Sequence, residues 1–185
     1  MTEVPKDMAT YIEGCIEVIH ESKAALVVNG PADLPATFEW HVGDEVLHVP
    51  LQAMVDGLGD HPLSILGGLL PSMRATMGPA QGVVLLLEGV GPREVEEGEM
   101  ERHVRGEYVE RWRRGDPTIR EHVMFIVADR RVMALTLMPF HYGDGAVVWE
   151  ELHTDAVTTA SAHARGDNVS MVLSLAFGEP GAETN

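Results

Sequence analysis

The stretch HVMFIVADRRVMALTLM, residues 122–138, decides the fold. Two apolar runs flank the pair Asp129-Arg130. This pattern predicts a tight antiparallel β-hairpin with its turn at those two residues. In that register Ile126 faces Met133, and side chains alternate between the two faces of the sheet along each strand.

The following stretch PFHYGDG, residues 139–145, joins the hairpin to a further apolar run, AVVWEEL. Its glycines can supply the positive φ that a hairpin turn needs, so we interpret it as a turn between two strands. His141 and Tyr142 are then expected at the exposed tip of that turn. Pairing residue 140 with residue 146 predicts that Trp149 lies opposite Leu137.

The rest of the chain is read from hydrophobic periodicity. Helical spacing of apolar residues predicts helices at 8–19, 51–58 and 63–77. Strands are predicted at 24–28, in a hairpin over 37–49, at 82–90, at 146–152 and at 169–177, with a loop between the last two. The fold class is therefore α+β, with a largely antiparallel sheet of about five to six strands covered by about two to three helices.

The length of 185 residues favours one domain over residues 1–185. The polar ends, 1–7 and 178–185, are expected to be disordered. Segment 92–117 is acidic first and arginine-rich later, and we expect a charged flap or surface arm there. A solvated loop and surface helix with weak ion pairs is the simpler interpretation of the same segment.

The charge balance limits the function classes. A formal net charge of −16 argues against direct binding of nucleic acid and against anionic membrane surfaces. It is compatible with basic protein partners, or with mimicry of the charge of DNA. The single cysteine, Cys15, cannot form an internal disulfide, and no apolar run approaches the roughly 18 residues that span a membrane. A cytoplasmic protein is therefore expected.

The predicted sheet is apolar on both faces, which raises the question of what covers them. The three predicted helices suffice for one face, and an apolar face left in water usually marks an interface. We therefore expect a homodimer or an obligate protein partner on the second face. Aromatic and arginine side chains are typical interface anchors, and the candidate interface residues are Tyr108, Trp112, Arg113, Arg114 and Trp149.

Catalytic motifs are sparse in this sequence. It contains no HExxH, no cysteine pair, no phosphate-binding glycine motif and no GxSxG, so no metal and no cofactor is expected. Carboxylate chemistry is the hardest class to exclude, because a carboxylate among apolar neighbours gains a raised pKa and can act as acid or base. The candidate catalytic residues are Glu88, Glu150, His141 and Tyr142.

A weak resemblance covers about 50 residues. The strand ending in Glu88-Gly89, the element Asp116-Pro117-Thr118-Ile119-Arg120-Glu121 and the strand ending in Ala128-Asp129-Arg130 resemble a pattern in uncharacterised small proteins of actinobacteria and their phages. Arg131 departs from that pattern, which has glycine at the turn. No function attaches to the group, so the resemblance implies only an accessory protein of a bacterium or phage.

These observations favour a small interaction protein without catalytic activity, homodimeric or docking a cellular partner. The alternatives are an enzyme that acts on a small molecule through carboxylates and histidine, and an acidic nucleic-acid mimic that occupies a basic protein.

Overall fold

The computed structural model describes residues 2–58, 62–92, 107–164 and 168–178. Within these ranges the helices are α1 Lys6–Leu26, a short 3-10 turn Val27–Asn29, α2 Leu51–Leu58, α3 Pro62–Met77, α4 Glu107–Arg113, α5 Thr159–His163 and α6 Asn168–Phe177. The strands are β1 Thr37–Val42, β2 Glu45–Val49, β3 Gly82–Pro92, β4 Ile119–Asp129, β5 Val132–Gly143, β6 Ala146–Trp149 and β7 His153–Thr158.

The seven strands described here form one sheet in the order β2-β1-β3-β4-β5-β6. β7 also pairs with β5, so β6 and β7 share the same side of that long strand. All of these pairs are antiparallel. The predicted α+β class with a largely antiparallel sheet is confirmed, although the sheet has slightly more strands than expected and there are more helices.

Each face of the sheet supports its own apolar core. On one face, α1 packs Met8, Ile12 and Ile19 against the side chains of β4 and β5 that include Val123 and Phe125. On the other face, α2, α3 and α6 pack over the remaining side chains of β1, β3 and β4. We call these the α1 face and the α3 face.

The segment 169–177, predicted as a strand, is helix α6. Its buried residues Val172, Leu173, Ala176 and Phe177 follow helical spacing and contribute to the α3-face core. Ser170 and Ser174 are four residues apart and therefore lie on one side of this helix. The segment predicted as a loop before it contains β7 and α5.

The segment 24–28, also predicted as a strand, is instead the end of α1 and the 3-10 turn. Of its apolar residues Val27 is buried, whereas Leu26 and Val28 are exposed. α1 also begins at Lys6, inside the end that was expected to be disordered. The predicted hairpin over 37–49 is present as β1 and β2, with its turn at Gly43-Asp44.

The central hairpin is present with a register that differs by two residues from the predicted one. Ile126 pairs with Leu135 rather than Met133, and the turn is made by Arg130 and Arg131. The Asp129 carboxylate fixes this turn, because its Oδ1 accepts the N–H groups of Arg131 and Val132 at 2.6 and 2.7 Å. A shift of two residues leaves every side chain on its predicted face.

The next hairpin differs by three residues, which reverses the face of β6. Gly143 pairs with Ala146 and Phe140 pairs with Trp149, so the turn is Asp144-Gly145. Both turn residues have positive φ, 51° and 79°, as a type I′ turn requires. The predicted pairing of Trp149 with Leu137 is wrong, and Trp149 lies on the α1 face beside Phe140 and His20.

Because α1 covers one face and three further helices cover the other, the expectation of an uncovered apolar face is wrong.

The charged segment 92–117 is described only in part: residues 93–106 lie outside the described residues, as do 179–185, and residues 107–113 form α4. None of the described helices combines the length and apolar composition that crossing a membrane requires.

Candidate functional site

A cleft of about 260 Å³ opens where the pairing of β4 with β5 ends, beyond the pair Glu121–Phe140. The strands supply three consecutive residues each, and α4 supplies one. The lining residues are Trp112, Ile119, Arg120, Glu121, Phe140, His141 and Tyr142. Since neighbouring strand residues point to opposite faces, the cleft collects groups from both sides of the sheet at its end.

Glu121 is the carboxylate that the cleft exposes to a ligand. It is half-buried, and within the described residues it makes no hydrogen bond and no ion pair. Burial raises the pKa of Glu121, Lys23 lowers it, and the negative charges of Glu88 and Asp33 raise it further. The surroundings of this carboxylate therefore disfavour its negative charge, because Lys23 compensates only part of the effect of burial and of the two nearby carboxylates.

Aromatic side chains line the cleft together with this carboxylate. The Trp112 side chain on α4 is 43% exposed. Phe140 is fully buried and contacts the Tyr142 ring edge-on, with the ring centroids 5.7 Å apart. The cleft therefore combines one carboxylate with the surfaces of Trp112 and Tyr142, and Phe140 forms its floor.

A buried ion pair lies behind this floor, on the α1 face. Lys23 Nζ lies 2.5 Å from Glu88 Oε1 and donates to the Ala32 carbonyl at 2.6 Å, and it stands 4.5 Å from the centroid of the Phe140 ring. The other Glu88 oxygen accepts the Leu34 N–H at 2.8 Å. The Lys23 side chain has 0% exposure, so it cannot reach a ligand.

The charge state of the pair follows from these contacts. Burial alone lowers the pKa of Lys23, but Glu88 and Tyr142 more than offset this, so the pKa is raised and the amine stays protonated. Burial raises the pKa of the Glu88 carboxyl, and the Leu34 N–H and the Lys23 charge reverse only part of that shift. With the ammonium in direct contact, we describe the pair as ionised at neutral pH.

On the opposite side of the cleft, Arg120 is held by its own chain. Its Nε donates to Glu150 Oε1 at 3.0 Å, and its Nη1 donates to the carbonyls of Pro117 and Ile119. His141 Nδ1 lies 3.4 Å from the same Glu150 oxygen. The predicted pairing of residue 140 with residue 146 would also put Glu150 opposite Thr136. This is wrong, because Thr136 pairs with Thr154 of β7.

The structure brings the four candidate catalytic residues together only as two separate pairs. Glu88 and Tyr142 both lie beside Lys23 on the α1 face, whereas His141 and Glu150 contact each other beside Arg120. Glu88 is blocked by Lys23, and Glu150 is neutralised by Arg120. Of the four, His141 and Tyr142 line the cleft.

The candidate interface residues also separate. Trp112, Arg113 and Arg114 are exposed on or just after α4. Tyr108 is 1% exposed and belongs to the interior of the fold. Trp149 is half-buried under His20 of α1, with ring centroids 4.4 Å apart.

A second polar cluster lies at the far end of the sheet around Glu39. Its carboxylate accepts the Tyr11 hydroxyl at 3.2 Å and lies 3.0 Å from His41 Nε2 and 3.1 Å from His48 Nδ1. Burial raises the pKa of the nearby Cys15 thiol, which disfavours a nucleophilic thiolate. Across the described ranges, no group of three His, Cys, Asp or Glu side chains is arranged to hold a metal ion.

Sequence reasoning did not identify Lys23 and Glu121 as residues of the site. Lys23 continues the buried stripe of α1 four residues after Ile19, and Glu88 follows an apolar strand. Two opposite charges at otherwise buried positions are a signal for an ion pair that sequence reasoning could have used. Glu121 gives no such signal, because its position in the cleft depends on where the β4–β5 pairing ends.

Comparison with known proteins identified no relative of this chain. No protein-family model matches it, and neither the curated proteins nor the solved structures include a significant match.

Proposed function

We propose that this protein is a non-catalytic interaction protein that docks a cellular partner through the cleft and the exposed side of α4. The observation that carries the proposal is the exposed Trp112 side chain, which lines the cleft together with Tyr142 and Glu121. Tryptophan anchors of this kind, set beside a partly desolvated pocket, carry much of the binding energy at protein interfaces.

The same geometry gives less support to an enzyme. Acid–base catalysis needs a proton-transferring group within hydrogen-bond reach of a bound substrate. Glu88 is shielded by Lys23, and Glu150 is engaged by Arg120. His141 lines the cleft, and its contact with Glu150 at 3.4 Å is the arrangement that an enzyme interpretation would have to use.

Docking of a different protein is the form of the proposal that we favour over homodimerisation. Helices cover both faces of the sheet, so an apolar sheet face does not call for a second copy. A cytoplasmic location is part of the proposal, and it rests on the single cysteine of the sequence. The same holds for an origin as an accessory protein of an actinobacterium or its phage, which rests on the weak sequence resemblance alone.

The test is affinity capture from lysate with the wild-type chain, Trp112→Ala and a control, Val18→Ala. Val18 is an apolar side chain on α1 that is 61% exposed, so its truncation removes exposed apolar surface that does not line the cleft. We expect a partner that wild type and the control retain and Trp112→Ala loses. Light scattering of the purified chain measures self-association in parallel.

Three results would contradict the proposal. Equal capture by all three chains would show that the cleft is not the docking site. A stable dimer that Trp112→Ala disrupts would make a second copy the partner. Salt-sensitive capture of a nucleic-acid-binding protein, independent of Trp112, would favour the acidic mimic.

A further inference from the structure

We propose that the cleft receives a cationic side chain, an arginine or lysine from a basic segment of the partner, with its charge at Glu121 and its aliphatic or planar part against Trp112 and Tyr142. This inference rests on the proposed docking function and names the chemistry that the site recognises.

The first support is the unbalanced charge of the cleft. Glu121 lacks a hydrogen-bonding or ion-pairing partner within the described residues. The two cations around it are already engaged, Lys23 by Glu88 and Ala32 and Arg120 by Glu150. A cation entering the cleft therefore meets a carboxylate whose described neighbouring cations, Lys23 and Arg120, are each paired with another carboxylate.

Within the described residues, the charges that act on Glu121 sum to a negative value. Lys23 of α1 is offset by Glu88 of β3, Arg120 by Glu150, and Asp33 in the loop after α1 adds a further negative charge that acts on Glu121. The formal charge of −16 for the whole chain extends the same field outward and attracts basic segments.

The second support comes from the aromatic side chains that line the cleft. Trp112 and Tyr142 line the cleft with Glu121, and aromatic faces attract cations through their quadrupole. The protein already uses this interaction internally, since Lys23 Nζ lies 4.5 Å from the Phe140 centroid and 5.6 Å from the Tyr142 centroid. A cleft lined by two aromatic side chains and one carboxylate suits an organic cation better than a phosphate or a neutral apolar group.

Size selects a side chain rather than a larger ligand. The cleft measures about 260 Å³ and is open to solvent, whereas pockets for drug-sized molecules usually span about 300–1,000 Å³. One arginine or lysine side chain on an extended backbone satisfies both the volume and the charge.

The experiment titrates the ¹⁵N-labelled full chain with acetyl-arginine-amide, and with acetyl-citrulline-amide as its neutral, nearly isosteric counterpart. The readout is the indole N–H signal of Trp112. We expect saturable shifts with the arginine probe and affinity weaker by about tenfold or more with the citrulline probe. Nα-acetyl-lysine-amide, which keeps its side-chain ammonium, tests whether the cleft binds lysine as well.

Two variants test whether the charge of Glu121 binds the arginine probe. Glu121→Gln keeps the shape of the side chain and is expected to weaken arginine binding about tenfold or more. Glu45→Gln removes the same charge from β2, an edge strand that β1 and β3 separate from β4, and is expected to leave binding unchanged. Equal losses in both variants would reduce the effect to general attraction by an acidic protein and overturn the proposal.

The chain itself contains cations that could compete. Arg102 and Arg105 lie in the sequence between β3 and α4. In the variant Arg102→Gln/Arg105→Gln, unchanged affinity for the arginine probe supports a partner's cation. Markedly tighter binding would show that this chain's own arginine is the occupant, and would overturn the proposal.

The outcomes also separate this inference from the proposed function. If Trp112→Ala abolishes capture of a partner but Glu121→Gln does not, docking stands and the cationic occupant is wrong. If the arginine probe binds through Glu121 but no partner depends on Trp112, the docking function fails while the cation site remains.

Discussion

Lys23 and Glu88 form an ion pair inside the protein, with 0% and 6% of their side chains exposed and 2.5 Å between Nζ and Oε1. The pair connects α1 to the central strand β3 and lies beneath Phe140, the floor of the candidate cleft. Because both partners are hydrogen-bonded to backbone groups as well, this contact orders the loop from Ala32 to Leu34 between the helix and the sheet.

Removal of one partner should be costly. Lys23→Met leaves the Glu88 carboxylate buried without its counter-charge, and we expect unfolding free energy to fall by about 3–5 kcal/mol. Urea denaturation measures the change. The control is Lys6→Met, the same substitution at an exposed lysine, for which a change within about 0.5 kcal/mol is expected.

The double variant Lys23→Met/Glu88→Leu distinguishes charge from packing. It removes both buried charges, so its loss of stability should be smaller than that of Lys23→Met alone. A double variant that is less stable than the single one would show that the pair is needed for its geometry, and would contradict this account.

We expect the Glu121 carboxylate to lower the stability of the folded protein at neutral pH. The pKa of Glu121 is raised in the folded protein, so the folded state disfavours the ionised form relative to the unfolded chain. This penalty is complete above the folded pKa and disappears as the pH falls below the unfolded value. Glu121→Gln should therefore stabilise the protein at pH 7, by less than about 1 kcal/mol given its partial exposure.

Urea midpoints for Glu121→Gln and for the wild type at pH 7 and pH 4 provide the measurement. The gain should be present at pH 7 and absent at pH 4, and Glu45→Gln should show no comparable gain. A loss of stability at pH 7 would mean that the carboxylate has a stabilising partner in the folded protein.

Asp116 should titrate far below an ordinary carboxyl. The Thr118 hydroxyl, Arg111 and the Thr118 N–H all interact with it and lower its pKa to about 2. Carboxyl ¹³C chemical shifts followed against pH measure this value directly. Thr118→Val should move the pKa of Asp116 upward, and an ordinary pKa in the wild type would contradict the arrangement at the end of α4.

A substitution at Gly145, in the turn Asp144-Gly145, should change the stability of the protein through backbone conformation alone. A Cβ on Gly145 would meet no atom within 4 Å, but its φ of 79° is unfavourable for alanine. We expect Gly145→Ala to cost about 1 kcal/mol. Gly14→Ala is the matched control in helix α1, also with free space around the Cβ, and it should stabilise by about 0.5–1 kcal/mol.

Thermal or urea denaturation of both glycine variants gives the comparison. Opposite signs for the same chemical change would show that φ decides the outcome. Destabilisation of similar size at both sites would point to a contact that neither position shows.

The sequence by itself determined the features that depend on neighbouring residues. The hairpins over 37–49 and 122–138, the central strand at 82–90 and the turn in PFHYGDG are all present, because strand alternation and turn chemistry are local. The short apolar run at 169–177 could not be assigned in the same way, since period alone does not separate a buried helix from a buried strand.

Only the tertiary structure decided which residues meet. A three-residue difference in hairpin register moved Trp149 to the α1 face. The helices divide between the two faces of the sheet, with α1 on one and α2, α3 and α6 on the other. Lys23 and Glu88 are 65 residues apart, and the Glu121 cleft exists because β4 and β5 separate at one point. Such long-range contacts depend on how whole elements pack, which local propensity does not encode.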